Sequence, residues 1–284
     1  MPVVGFIGLG NMGRALAANL VAAGHHVVAY DAAGPDRVPP GAETAADVPE
    51  VARLAETVVL SLPDGDASGQ VAVAVAGTSG RRTAHVVDTS TIGPKAARTI
   101  DTLLAEAGIG YVDAPVSGGV AGARARTLFV MYSGSDAACA AVAPVLAGLS
   151  DRRRRVGDRP GPAQALKLAN NFLAATALAA TSEAVAFGVA AGLDMADMLD
   201  VLNASSGRNS ATADKFPHHV ATESFAAGFA NSLMAKDVRL YLRSVAELGG
   251  PAAVGEAVGP LWDRFAADEP GADFTRIYPY VRTD

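Results

Sequence analysis

The chain has 284 residues, half of them hydrophobic, enough to fill the core of one large domain or two smaller ones. Its 29 acidic residues against 23 Lys and Arg leave a formal charge of -6, which argues against broad binding to nucleic acid or membrane surfaces and favours a small-molecule partner. The single cysteine, Cys139, cannot form an internal disulfide, and the N-terminus lacks the basic start and cleavage site of a secretory signal, so a cytoplasmic location is expected.

From Pro2 to about Ser133, short β-rich runs alternate with helical stretches: VVGFIG, HHVVAYD, TVVLSLP, AHVVDTS, IGYVDAP and TLFVMYSG. These runs are apolar rather than strictly alternating, which predicts a mainly parallel sheet covered by helices on both faces. The first run leads into Gly8, Gly10 and Gly13, with Leu9, Asn11 and Met12 between them, at the opening of a helix that ends near Gly24. A second strand follows and ends at Asp31. Strand, glycine turn, helix, strand and terminal carboxylate in that order predict a dinucleotide site. Gly8 permits the turn, Gly10 lets the backbone approach a pyrophosphate, and Gly13 brings the helix against the sheet while N–H groups at the helix start face the anion. Asp31 can accept both adenosine ribose hydroxyls and would repel a further phosphate there, so NAD is expected ahead of NADP. Arg37, six residues on, is near enough to reach round.

The fifth run exits through Pro115 into Ser117-Gly118-Gly119, whose open backbone N–H groups at the carboxyl end of the sheet suit a carboxylate; taken alone, an ordinary glycine turn reads equally well. The segment DRRRRVGDRPGPA reads as an exposed connection with Arg152 to Arg155 solvated. Beyond it no strand is expected. Helices are predicted from Ala163 to about Gly192, Met195 to Leu202, Ser232 to Leu248 and Val254 to Phe265, so residues 1–162 form a doubly wound α/β nucleotide domain and residues 163–284 an all-helical domain for substrate and dimerisation.

The first of these helices, roughly 30 residues and about 45 Å long, suits a spine between domains or subunits and points to a homodimer or homotetramer. Thr176, Thr181, Ser182 and Glu183 interrupt it too often for a membrane span. Near its start stands Lys167, with Asn170 and Asn171 behind it. An unpaired cation among apolar groups costs several kcal/mol or more, so Lys167 either stretches its charged end to the surface or serves chemistry.

In sequence order, GFIGLGNMG, DTSTIGP, DAPVSGGVAGA, LKLANN and LMAKDV resemble the motifs of the β-hydroxyacid dehydrogenases, the family of 3-hydroxyisobutyrate dehydrogenase and tartronate semialdehyde reductase. The resemblance covers nearly the whole chain. It implies a Rossmann domain followed by an all-helical domain, a bound nicotinamide nucleotide, and reversible oxidation of a hydroxy acid. It casts Lys167 as the acid/base and Asn171, on the same helix face, as a group that orients substrate or lysine. It gives the substrate carboxylate to Ser117, Gly118 and Gly119, the nicotinamide ribose to Thr91, a cofactor-lining turn to Leu62-Pro63, and a second cofactor contact to Lys236, with Asp237 as a structural neighbour. Hydride transfer to a carbonyl builds negative charge on its oxygen, which Lys167 can meet with a cation or a proton; in the oxidative direction it must be neutral, which burial promotes.

Three positions depart from the family pattern: Ala163 and Arg126 each stand where a glycine is usual, and Ser133 replaces one residue of a Gly-Gly pair. The segment NASSGRNSATADKFP, polar through Ser205, Ser206, Arg208 and Asn209, is expected as a loop contributing to the substrate pocket and admitting a polar substrate. No His, Cys and carboxylate cluster has metal-ligand spacing, His218-His219 reads as a surface pair, and Cys139 as a packing residue. The competing readings are an NADPH-dependent semialdehyde or imine reductase, and a nucleotide-binding sensor without turnover.

Overall fold

The computed structural model describes residues 2–282. They form two compact units, one reaching to Lys167 and the other starting at Leu168. The expected division after residue 162 lies at the start of a long helix, five residues before the point where the units divide.

The first unit is built on nine strands: β1 (Val3–Ile7), β2 (His26–Tyr30), β3 (Glu43–Thr44), β4 (Thr57–Leu60), β5 (His85–Asp88), β6 (Gly110–Asp113), β7 (Val116–Ser117), β8 (Phe129–Ser133) and β9 (Arg152–Gly157). Their order is β3-β2-β1-β4-β5-β6-β8-β7, with β9 paired to β8. The strands from β3 to β6 in that order are parallel, while β8 runs against β6 and β7 and alongside β9. Helices α1 (Asn11–Ala22), α2 (Val48–Leu54), α3 (Gly65–Ala76), α4 (Pro94–Glu106), α5 (Gly119–Arg124), α6 (Asp136–Ala141) and α7 (Ala143–Leu149) connect them, and α8 (Pro162–Ala190) follows β9.

Successive residues of a strand point to opposite faces, so a sheet covered on both sides needs apolar residues at every position. The middle positions of the strands obey this. Phe6, Val27, Val59, Val87 and Val112 join one buried cluster, while Ile7, Val28, Val58, Val86 and Tyr111 join another. The doubly wound sheet read from the sequence is therefore present, with its two hydrophobic layers drawn from alternate residues of the same strands.

The arginine run is not a plain connection. Residues Arg152–Gly157 form β9, a strand at the edge of the sheet, with Arg152, Arg153 and Arg154 exposed. Charges on an edge strand oppose pairing with another chain, and they hide the strand from a reading based on hydrophobicity. The two-residue strands β3 and β7 were also missed.

Arg126 explains one departure from the family pattern. The end of α5 is a Schellman turn: Thr127 N–H donates to Gly122 O at 2.8 Å, Arg126 N–H to Ala123 O at 3.1 Å, and Arg126 itself has φ 58. That left-handed position favours glycine by roughly 1 kcal/mol. The guanidinium offsets the cost by donating to Gly148 O (3.0 Å), Ala147 O (3.3 Å) and Asn19 O (3.3 Å), two of them at the carbonyl end of α7.

The second unit holds the rest of α8 with α9 (Met195–Asn203), α10 (Asn231–Leu248), α11 (Ala253–Asp268) and α12 (Ile277–Val281). Its core gathers Leu178, Val185, Phe216, Val238, Trp262, Phe265 and Ile277. Part of the expected loop is helical: Ala211–Val220 winds as a π-helix, opened by Asn209, whose side-chain oxygen accepts from Ala211 N (2.7 Å) and Thr212 N (3.2 Å). Ser205, Ser206 and Arg208 before it are exposed. Helix α8 is long and apolar enough to cross a membrane by length and composition.

Candidate active site

The dinucleotide motif lies where parallel strands end. Gly8 follows β1 with φ 93, and a Cβ there would meet Ser61 O at 2.3 Å; a Cβ at Gly13 would meet Gly8 O at 1.9 Å. Both glycines are demanded by the fold. Gly10 is not: its backbone is extended (φ -60, ψ -174), and a Cβ there would meet nothing within 4 Å. No side chain caps α1, which starts at Asn11, and its first turn holds no acidic residue. An open position beside uncapped N–H groups is what an incoming phosphate requires, so these residues fit a dinucleotide. Leu9, Gly10, Asn11 and Arg14 line a cavity of about 600 Å³ together with Arg37, Pro40 and Arg124.

Asp31 stands just past β2. Its carboxylate accepts from Leu9 N at 2.5 Å and Ala33 N at 2.8 Å, and Arg37 lies 3.6 Å away. Each carboxylate oxygen retains lone-pair capacity for a ribose hydroxyl. Arg37 has reached round, which weakens the repulsion that Asp31 alone would exert on an additional phosphate.

The next two strands of the sheet, β4 and β5, present Leu62-Pro63 and Thr91 at their carboxyl ends. Leu62 N donates to Ser90 Oγ at 2.8 Å, which ties the first turn to the loop that carries Thr91. The base of that loop is Asp88, fully buried, which accepts from Ser90 N at 2.9 Å and from Tyr111 OH at 3.4 Å. Burial raises the Asp88 pKa, with the bonds from Ser90, Ser68 and Tyr111 pulling the other way. At the end of β6 the chain turns through Pro115 into β7, so Ser117 closes a short strand rather than opening a loop. Gly118 (φ 129) and Gly119 (φ 66) follow in conformations that favour glycine, and Gly119 has open space where a Cβ would stand.

Residues far along the chain satisfy the first turn of helix α8. Asp113 Oδ2 accepts from Gly161 N (3.2 Å) and Gln164 N (3.1 Å), and Ser133 Oγ accepts from Ala163 N (3.0 Å) while donating to Asp113 Oδ1 (2.5 Å). Pro162 has no N–H, and Ala165 N donates to Gly161 O. Every early N–H is accounted for. Ser133 and Ala163, two departures from the family pattern, are thus bonded to each other. Burial pushes Asp113 up to about 6, opposed by its bonds from Ser133, Gln164 and Gly161. Lys167 follows on this anchored turn and is 8% exposed. The residue therefore does not lie on an exposed helix face.

In the second unit Asn171 Nδ2 donates to Asp237 Oδ2 at 2.6 Å, and Lys236 Nζ lies 3.2 Å from Asp237 Oδ1. The buried Asp237 therefore holds two of the residues singled out from the sequence, a role the motif LMAKDV signalled only by adjacency. Nothing local in the sequence marks Asp113 or Ser133, because both act through partners distant along the chain. Cys139 is buried in α6, as expected for a packing residue, and His218 is exposed with His219 half-buried.

Residues 3–157 match a family model for the NAD-binding domain of 6-phosphogluconate dehydrogenase, and residues 161–281 match one for the NAD-binding of NADP-dependent 3-hydroxyisobutyrate dehydrogenase. The 3-hydroxyisobutyrate dehydrogenase of Pseudomonas aeruginosa is 35% identical over 99% of both chains. The 2-(hydroxymethyl)glutarate dehydrogenase of Eubacterium barkeri is 36% identical over 85% of this chain and 81% of its own. Among solved structures, the Mycobacterium tuberculosis 3-hydroxyisobutyrate dehydrogenase with L-serine superposes with a TM-score of 0.91 at 32% identity, covering 99% of each chain.

Proposed function

Because the chain belongs to the 3-hydroxyisobutyrate dehydrogenase family, NAD(P)-dependent oxidoreductases acting on CH–OH groups, we propose that its substrates are acids of the form HOCH2–CH(R)–COO⁻ and the matching semialdehydes. The acids in the names of the two curated relatives, and the L-serine held by the M. tuberculosis enzyme, share that skeleton and differ in R. The observation that carries the reading is Lys167: a lysine 8% exposed, in the same compact unit as the glycine turn, on a helix start fastened by buried carboxylate and hydroxyl groups.

When bound, the nicotinamide ring takes or returns the hydride. Lys167 as a neutral amine removes the hydroxyl proton during oxidation, and as an ammonium returns it during reduction. Ser117, Gly118 and Gly119 hold the carboxylate, and Asn171, fixed by Asp237, orients the reacting groups. Gly8 to Gly13, Asp31, Leu62, Pro63 and Thr91 would hold the cofactor. A pure nucleotide sensor has no use for a buried proton donor, and an imine reductase does not need a carboxylate cradle.

Initial rates with NAD and NADP against 3-hydroxyisobutyrate, 2-(hydroxymethyl)glutarate, L-serine, their semialdehydes and a cyclic imine test this. At least one acid should turn over, with kcat/KM for NAD ahead of NADP by about tenfold, or about 1.4 kcal/mol, a margin kept small by Arg37. Exclusive use of NADP would overturn the argument from Asp31. Turnover of the imine alone, or tight cofactor binding without turnover of anything, would overturn the reaction.

We also read the protein as a cytoplasmic homo-oligomer. Its lone cysteine, buried, fits a reducing compartment. Leu173, Ala180 and Phe187 recur every seven residues along α8 and are all exposed, Phe187 by 76%, forming an apolar seam of the kind that helices bury against one another. Replacing both Leu173 and Phe187 by Glu should raise the subunit dissociation constant about a hundredfold or more in sedimentation experiments; an unchanged oligomer would rule out this seam.

A further inference from the structure

Gln164 is wholly buried in the first turn of α8, three residues before Lys167. Its side chain is spent on one loop: Oε1 accepts from Ile92 N at 2.9 Å and Gly93 N at 3.1 Å, and Nε2 donates to Ser90 O at 3.0 Å. That loop, between β5 and α4, carries Thr91. Its Ser90 hydroxyl also accepts from Leu62 N. One carboxamide therefore links the Leu62-Pro63 turn, the Thr91 loop and the helix start that bears the lysine.

We propose that Gln164 is a positioning residue for hydride transfer: by fastening the first turn of α8 to the β5–α4 loop, it sets where Lys167 stands relative to the nicotinamide end of the cofactor. This rests on the reading of Lys167 as the acid/base. The loop offers two N–H groups and one carbonyl to a single side chain, and among the natural side chains of this reach only the carboxamide of Gln, or a Glu in its protonated form, accepts the first two while donating to the third. Glutamate turns an oxygen on Ser90 O, methionine leaves all three buried groups unpartnered, and asparagine is one carbon short. Misplacing a reacting group by about 1 Å slows a well-aligned reaction by roughly a hundredfold, so a fastener of this kind affects the chemical step more than the binding of either ligand.

The test compares Gln164→Glu, Gln164→Met and Gln164→Asn with the parent enzyme, using 3-hydroxyisobutyrate or the fastest acid of the panel above, undeuterated and deuterated at the carbinol carbon. For Gln164→Glu at pH 9, kcat should fall by about thirtyfold or more. The deuterium isotope effect on kcat should rise as chemistry becomes limiting, and the NADH dissociation constant, read by fluorescence, should stay within about threefold. Lowering the pH protonates the introduced carboxyl, which then donates to Ser90 O. Oxidation by Gln164→Glu should accordingly recover relative to the parent as pH falls toward 6, and a residue that merely supports the fold has no reason to produce that crossing profile.

A Gln164→Glu enzyme with parental kcat and isotope effect at pH 9, whatever its Tm, would overturn the inference. So would a loss of kcat matched by an equal loss of NADH binding. If Gln164→Met does not fold, Gln164→Glu and Gln164→Asn decide the matter. Lys167→Ala separates the two levels: turnover surviving in Lys167→Ala sinks the assignment of the lysine, whereas a dead Lys167→Ala beside an unaffected Gln164→Glu sinks this inference alone.

Discussion

Replacing Lys167 by alanine is expected to lower kcat by about a thousandfold or more, roughly 4 kcal/mol of transition-state stabilisation, while the NADH dissociation constant changes by less than about threefold. The asymmetry follows from position. The lysine follows the anchored start of α8 and is not part of the glycine turn proposed to hold the pyrophosphate, so the proposed cofactor site loses no principal contact. Lys167→Arg should fare little better in either direction: a guanidinium keeps the charge but does not release a proton near neutral pH, and its planar fork is larger than the ammonium it replaces. The parent enzyme should show opposite pH dependence in its two directions. Oxidation needs the neutral amine and so rises with pH, whereas reduction needs the ammonium and falls. Both slopes should vanish in Lys167→Ala. Measurable turnover near the parental rate, or a retained pair of opposite slopes, would show that another group moves the proton.

The second large effect is at Gly10. Gly10→Val should weaken NAD binding by about a hundredfold, some 2.7 kcal/mol, with Tm almost unchanged. The reasoning depends on why each glycine is there. At Gly8 and Gly13 a Cβ would run into backbone oxygens at 2.3 Å and 1.9 Å, so alanine at either place strains the fold itself. At Gly10 the conformation is open to any residue and a Cβ meets nothing of the protein. The proposed dinucleotide gives a reason for a glycine in that place, since a branched side chain would take the volume that its phosphates need. Isothermal titration with NAD, beside thermal melts of Gly10→Val and Gly13→Ala, separates the two kinds of glycine. Wild-type affinity in Gly10→Val would mean that the dinucleotide lies elsewhere.

Much of this could be seen without coordinates, and the reason is locality. The glycine turn and Asp31 lie within one strand–helix–strand unit, where spacing alone states the geometry. Six of the nine strands read as apolar runs because a sheet covered on both faces buries nearly every residue of its central strands. The helices α8 to α11 of the C-terminal half are visible from composition and period. By contrast β9 is a row of arginines, and β3 and β7 are two residues each, too short for any pattern. The π-helix was missed because Asn209 and Thr212 start it in a stretch whose polar composition reads as loop.

What the sequence by itself determined is the doubly wound sheet, the helical second half and the glycine turn, and it singled out the lysine near the start of α8. Folding alone decided what holds that lysine. Gln164 meets its loop across 71 to 74 positions, Asp113 reaches Gln164 across 51, and Ser133 reaches Ala163 across 30. Arg126 tolerates a left-handed backbone only because the carbonyl end of α7 is brought beneath its guanidinium. Buried hydrogen bonds are set by where strands and helices converge in space. Periodicity reports which way a residue faces along its own element, and it carries no information about which distant group waits on the other side.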